Sequence, residues 1–242
     1  MKCHYNFGDY DLPPKNVHMQ HMPVALLLDL SGSMNVPDGR PIRNLNLAAN
    51  KFIEEVARDP AASGLVDVAV IGFNDEATVI QGFRPVTEIQ PLDLTAGGGT
   101  NLSAALELAV QKLRERCNYY ANDVGIEIKM PYIILVTDGY GGDVTEIARV
   151  IKQRTDDKKM QLWVLAVEGY DEKTVAELTE GKRVFALQDS LSYDFTQFFQ
   201  FMAASAKAVS QSAPGERIHI DNPLEQPDNN LIVPDLDDWL NN

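Results

Sequence analysis

Six short, largely apolar stretches, separated by longer amphipathic ones, leave this chain few architectures to choose from. Val24–Asp29 is an unbroken apolar run that ends on a carboxylate. A run that does not alternate with polar residues reads as a strand covered on both faces. Val66–Phe73, Tyr132–Thr137, Gln161–Val167 and Arg183–Leu187 read as further strands. Asn74-Asp75-Glu76 makes a turn after the second, and Ala77–Gln81 is a short strand returning beside it. The intervening segments carry helical periodicity. In Pro41–Asp59 the apolar positions Ile42, Leu45, Ala49, Phe52, Ile53 and Val56 recur at steps of three and four. Leu102, Ala105, Leu106, Ala109, Val110 and Leu113 line one face of a second helix, whereas 118–129 reads as a polar connection. Val144–Thr155, Glu172–Thr179 and Asp194–Ser210 complete the helical set, the last burying Phe195, Phe198, Phe199, Met202 and Val209. Strand and helix in alternation predict an α/β fold: a doubly wound, mostly parallel six-stranded sheet with one short antiparallel edge strand and helices on both faces.

This pattern fills residues 22–212 of a 242-residue chain, leaving an N-terminal arm (1–21) and a tail (213–242). The tail holds four prolines and seven acidic residues against Arg217 alone, so it is expected to be extended or disordered and to add little core. Its end, Asp235-Leu-Asp-Asp-Trp-Leu240, pairs carboxylates with apolar anchors, and is expected to dock on a protein, either a partner or a second copy of the chain. The net charge is −14, which argues against nucleic acid, since phosphates are gripped by clustered Lys and Arg. No stretch reaches the roughly 18–20 apolar residues that span a bilayer, and the first residues carry no apolar leader. Two cysteines, Cys3 and Cys117, fit reduced thiols in a cytoplasm better than a disulfide scaffold. Cys3, His4, His18 and His21 match no zinc-site spacing, and these histidines are expected to be exposed arm residues.

The chemistry gathers at strand ends. Open parallel sheets bind ligands at the carboxyl edge of their strands. There the first strand runs into Asp29-Leu-Ser31-Gly-Ser33, the loop Gly97-Gly-Gly-Thr100 opens a helix, and Tyr132–Thr137 runs into Asp138-Gly139. Asp29, Ser31, Ser33, Thr100 and Asp138 offer two carboxylates and three hydroxyls with no thiolate or imidazole. An all-oxygen set suits a hard cation, Mg²⁺ first, with Mn²⁺ or Ca²⁺ as alternatives. The glycines would let backbone approach closely.

Taken together, Asp29-x-Ser31-x-Ser33, Thr100 after a glycine-rich loop and Asp138-Gly139 after a strand resemble the metal-ion-dependent adhesion site of von Willebrand factor A (vWA) domains. The resemblance covers about residues 22–210 and implies a Rossmann-like vWA fold. It implies that Ser31 and Ser33 ligate the metal directly, that Asp29 and Asp138 act mainly through bound waters, and that Thr100 ligates directly or through water. It also implies that an Asp or Glu of a protein partner completes the coordination, which is recognition and not catalysis. Pro23-Val-Ala-Leu-Leu-Leu-Asp-Leu-Ser-Gly-Ser-Met34, Trp163-Val-Leu-Ala-Val-Glu-Gly169 and the Phe-rich last helix are similar to free-standing bacterial vWA proteins of the tellurium-resistance (TerY-like) type. That likeness implies an adaptor in a stress-resistance or defence system, acting with a Ser/Thr protein kinase and a metal-dependent protein phosphatase of the same operon. Two other readings stay open: a metal-dependent phosphohydrolase or phospho-acceptor domain, and an adaptor of an AAA+ ATPase. Against the first, no partner Lys stands near the strand ends. Gly97–Gly99 is followed by no Gly-Lys-Ser/Thr, and no Gly-x-Ser-x-Gly elbow occurs.

Overall fold

The computed structural model describes residues 11–36, 38–167, 169–187, 193–213, 216, 218–225 and 229–234. Cys3, His4 and the terminal motif Asp235–Leu240 lie outside them. Strand β1 (Met22–Asp29) is followed by helix α1 (Arg40–Arg58), then β2 (Val66–Phe73) and β3 (Ala77–Pro85). Next come α2 (Leu102–Tyr119), β4 (Tyr132–Thr137), α3 (Thr145–Asp156), β5 (Gln161–Ala166), α4 (Glu172–Thr179), β6 (Val184–Leu187), α5 (Thr196–Gln211) and β7 (Leu231–Ile232). The strand order is β3-β2-β1-β4-β5-β6-β7, with β1, β2, β4, β5 and β6 parallel and β3 antiparallel to β2. All the expected strands and helices are present, with ends shifted by a residue or two, except that β3 is longer, running to Pro85.

The unbroken apolar runs are explained by coverage on both faces. Every residue of β1, β2 and β4 is buried. On one face Leu26, Leu28, Val68 and Ile134 meet α1 and α5, with Phe52 and Phe199 in ring contact at 6.0 Å. On the other, Ala25, Leu27, Ile71 and Leu135 meet α2, α3 and α4. Alternate side chains of one strand thus serve two separate cores.

The tail departs from its expected character. Leu231–Ile232 form β7, antiparallel to β6, with Leu231 fully buried. A short apolar pair closes the sheet edge that β6 would otherwise leave open.

Two further expectations are corrected at the opposite end of the strands. His21 is not an exposed arm residue: it is fully buried, its Nδ1 2.8 Å from Asp67 Oδ2 at the start of β2. The stretch after α2 is not merely a polar connection, because Tyr120 is also fully buried and donates its hydroxyl proton to Asp67. Arg116 Nε donates to Tyr120 Oη at 2.9 Å, and its guanidinium lies over the rings of Tyr120, Tyr119 and Phe83. Met22 pairs with Val66 in register, so the residues flanking each pair meet here, and His21 is enclosed by backbone bonds to Glu127 and Lys129. Among the described residues no three His, Cys, Asp or Glu side chains gather as a metal cluster. Burial pushes the Cys117 thiol up to about 12, so it stays protonated at neutral pH. No helix among the described residues is long and apolar enough to cross a membrane.

Candidate metal centre

The strand order reverses between β1 and β4, so the loops after these neighbouring strands leave in opposite directions and open a crevice between them. Leu28 pairs with Val136, which sets Asp29 beside Thr137 and brings Asp138 one residue further out. Thr137 donates its hydroxyl proton to Asp29 Oδ2 at 2.9 Å and accepts from the Gly139 amide at 3.0 Å. The Ser31 amide donates to Asp29 Oδ1 at 2.9 Å. Asp29, fully buried, is therefore fixed at both oxygens.

Outward from it the site becomes accessible. Ser31 is 2% exposed and Asp138 8%, whereas Ser33 is exposed. Ser31 Oγ lies 2.9 Å from Ser33 Oγ, and Ser33 Oγ donates to Asp138 Oδ2 at 2.8 Å. The Tyr140 amide holds Asp138 Oδ1 at 3.1 Å. Adjacent ligands of an octahedron with bonds of 2.0–2.1 Å are about 2.9 Å apart. The two hydroxyls expected to ligate directly, Ser31 Oγ and Ser33 Oγ, have this spacing at 2.9 Å.

Thr100 is half-buried and comes from a loop laid against the Ser31–Ser33 turn. Gly32 donates its amide to Gly98 O at 2.9 Å, and Gly97 to Leu30 O at 2.8 Å. Gly98 adopts φ 85°, and a Cβ there would stand 2.3 Å from Asp75 Oδ2. Gly141, at φ 137°, passes so close that a Cβ would meet Thr100 Oʹs carbonyl and Cγ2 at 3.0 Å. The loop after β4 and the Thr100 loop therefore touch, and all five expected residues come to one edge. Four of them are joined by direct or shared hydrogen bonds. Thr100 joins through backbone packing.

Burial pushes the Asp29 carboxyl above the usual carboxylate range; hydrogen bonds from Ser31 oppose the rise and the nearby Asp138 charge adds to it. Among the described residues no Lys, Arg or His forms an ion pair with Asp29 or Asp138. Two adjacent carboxylates without a basic partner are a setting that a cation relieves.

The residues that support the site do not stand out in the sequence. Thr137 orients Asp29, Asp75 accepts from the Gly99 amide at 2.9 Å, and Asn74 Nδ2 donates to Gly97 O at 3.1 Å. The Asp171 amide donates to Asp138 O at 2.8 Å. Their signal was topological: Asn74 and Asp75 follow a strand parallel to β1, so they reach the same edge.

Residues 24–140 match the family model of the von Willebrand factor type A domain. Over these residues the chain is similar to a von Willebrand factor type A domain. The match runs from β1 to just past Asp138 and so contains all five site residues. Among curated proteins nothing matches. Solved structures agree on the fold. A von Willebrand factor type A protein from Catenulispora acidiphila superposes with TM-score 0.56 at 17% identity, covering 78% of this chain and 43% of its own. The pilus adhesin SpaC from Lactobacillus rhamnosus GG gives 0.59 at 13%, covering 82% and 31%. Proximal thread matrix protein 1 from the mussel byssus gives 0.52 at 16%, covering 76% and 45%. The chain spans less than half the length of each of these proteins.

Proposed function

We propose that this vWA domain is a non-catalytic, divalent-metal-dependent protein-interaction module. Ser31 and Ser33 ligate the ion directly, Asp29 and Asp138 hold it mainly through waters, and Thr100 ligates directly or through water. The observation that carries the reading is the linked oxygen set Asp29, Ser31, Ser33 and Asp138 at the switch point, with no cationic side chain among the described residues paired to its carboxylates. A bound Mg²⁺, with Mn²⁺ or Ca²⁺ as alternatives, supplies a position that a partner's Asp or Glu carboxylate occupies. The chain's own work is orientation: Thr137 and the Ser31 amide fix Asp29, the Tyr140 amide fixes Asp138, and Ser33 faces the solvent from which a partner arrives. No nucleophile–base pair stands among these residues, which supports an adaptor over an enzyme.

We assign the adaptor to a bacterial stress-resistance or defence system of the TerY-like kind, in the cytoplasm, with a Ser/Thr protein kinase and a metal-dependent protein phosphatase as partners. The support is the sequence likeness at Pro23–Met34 and Trp163–Gly169. Calorimetric titration of the full chain with Mg²⁺, Mn²⁺ and Ca²⁺ tests the site: Asp29→Ala is expected to abolish both binding and EDTA-sensitive capture of partners. Unchanged binding in Asp29→Ala would remove the site assignment. Turnover of p-nitrophenyl phosphate with Mg²⁺, lost in Asp29→Asn, would establish a phosphohydrolase instead. An AAA+ ATPase in the EDTA-sensitive eluate would replace the kinase and phosphatase.

A further inference from the structure

A second concavity lies at the other end of the strands. A groove of about 480 Å³ opens where β4 and β5 begin and α5 ends, lined by Ile128, Lys129, Tyr132, Trp163, Val209 and Ile218. It is mostly apolar with polar edges, and Ile128 and Ile218 are over a third exposed. The indole of Trp163 packs edge-on against Phe201 and flat against Phe185, yet its buried Nε1 has no hydrogen-bond acceptor among the described residues. Just beyond, Arg183 enters β6 at φ 57°, a conformation that disfavours a side chain, and its buried Nε is likewise without a partner among the described residues.

The direction of β7 says what passes there. Leu231 pairs with Leu187 and Ile232 with Ala186, so β7 runs from the metal edge towards this groove. Followed further along β6, the line of β7 leads towards Arg183 at the start of that strand. From Pro234, five extended residues reach about 17 Å. The groove's Trp163 strand lies two strand spacings from β7, about 10 Å. The segment that follows is Asp235-Leu-Asp-Asp-Trp-Leu240, which offers carboxylates for orphaned donors and large apolar groups for an aromatic-lined groove.

We propose that residues 235–240 dock in cis on this groove, Asp235 pairing with Arg183 and Trp239 seated against Trp163 and Val209, as a latch holding the end of α5 to the sheet. The sequence alone points this motif at another molecule; because β7 runs away from the metal edge, the proposed docking is independent of the metal reading.

The chain has two tryptophans, Trp163 and Trp239, which makes 5-fluorotryptophan labelling of the full chain a direct test. Trp239→Phe assigns the two ¹⁹F resonances. The Trp239 resonance is expected away from its urea-unfolded position and without a D₂O isotope shift. Arg183→Glu moves it to the unfolded position with the full isotope shift, and adding Asp235→Arg restores it. Should Arg183→Glu disturb the fold by circular dichroism, Asp235→Lys releases Trp239 without touching the domain. A Trp239 already at the unfolded position in the unaltered chain overturns the proposal. So does burial of Trp239 that vanishes on dilution, since a second copy is then the occupant, and so does burial that survives both charge reversals.

Discussion

At the scale of single residues, the metal centre depends on a hydroxyl that is not itself one of the expected ligands. Thr137 is fully buried and gives its proton to Asp29, while the Gly139 amide gives to Thr137. Valine has the same shape and lacks the hydroxyl. Thr137→Val is therefore expected to leave the fold intact and weaken Mg²⁺ or Mn²⁺ binding by about 10–100-fold, the usual effect of removing a group that orients a metal ligand. Titration calorimetry reads it, and an unchanged dissociation constant would show that Asp29 needs no such support. The five ligand candidates were legible in the sequence because residue type, spacing and place at strand ends agreed. Thr137 was not, because at the end of an apolar run a threonine looks like one more β-branched strand residue. Only the register of β1 on β4 shows that its hydroxyl faces Asp29.

At the scale of elements, α2 carries the metal loop at one end and the buried charge cluster at the other. Asn101 caps it, accepting from the Ala104 amide at 3.2 Å, and its own amide donates to Asn74 O at 2.7 Å. The cap therefore stops the helix one residue after Thr100 and fixes where that hydroxyl can lie. Asn101→Ala is expected to cost about 1 kcal/mol, a drop in Tm of roughly 2–4 °C for a domain of this size. It should also weaken metal binding less than Asp29→Ala does, since the carboxylates remain. Thermal denaturation with and without Mg²⁺ separates the two effects. The helix itself was legible from its apolar stripe. Its far end was not. Tyr120 and Arg116 look like ordinary polar helix residues until Asp67 and His21, distant in sequence, arrive beside them.

At the scale of the molecule, binding at one edge stabilises the whole cooperative fold, because an ion that binds only the assembled site shifts the folding equilibrium by mass action. Mg²⁺ at a hundredfold excess over its dissociation constant is expected to add about 2.7 kcal/mol, raising Tm by roughly 5–10 °C. EDTA should reverse the gain, and Asp29→Ala should show none of it in the same scan. The sheet makes this coupling direct, since Asp29 and Asp138 cap its two central strands.

What the sequence by itself determined is the layering. Apolar runs too uniform for a one-sided sheet require helices on both faces, and the position of each polar residue just past a run places it on the binding edge. Those are local properties, readable wherever side-chain period and burial coincide. Tertiary structure alone decided which strand ends become neighbours, that His21 and Asp67 share a buried site, and that Leu231–Ile232 close the sheet edge as a strand running away from the metal edge. Each depends on pairing between residues far apart in the chain, and a single buried leucine in an acidic, proline-rich tail carries no periodicity from which such pairing can be read.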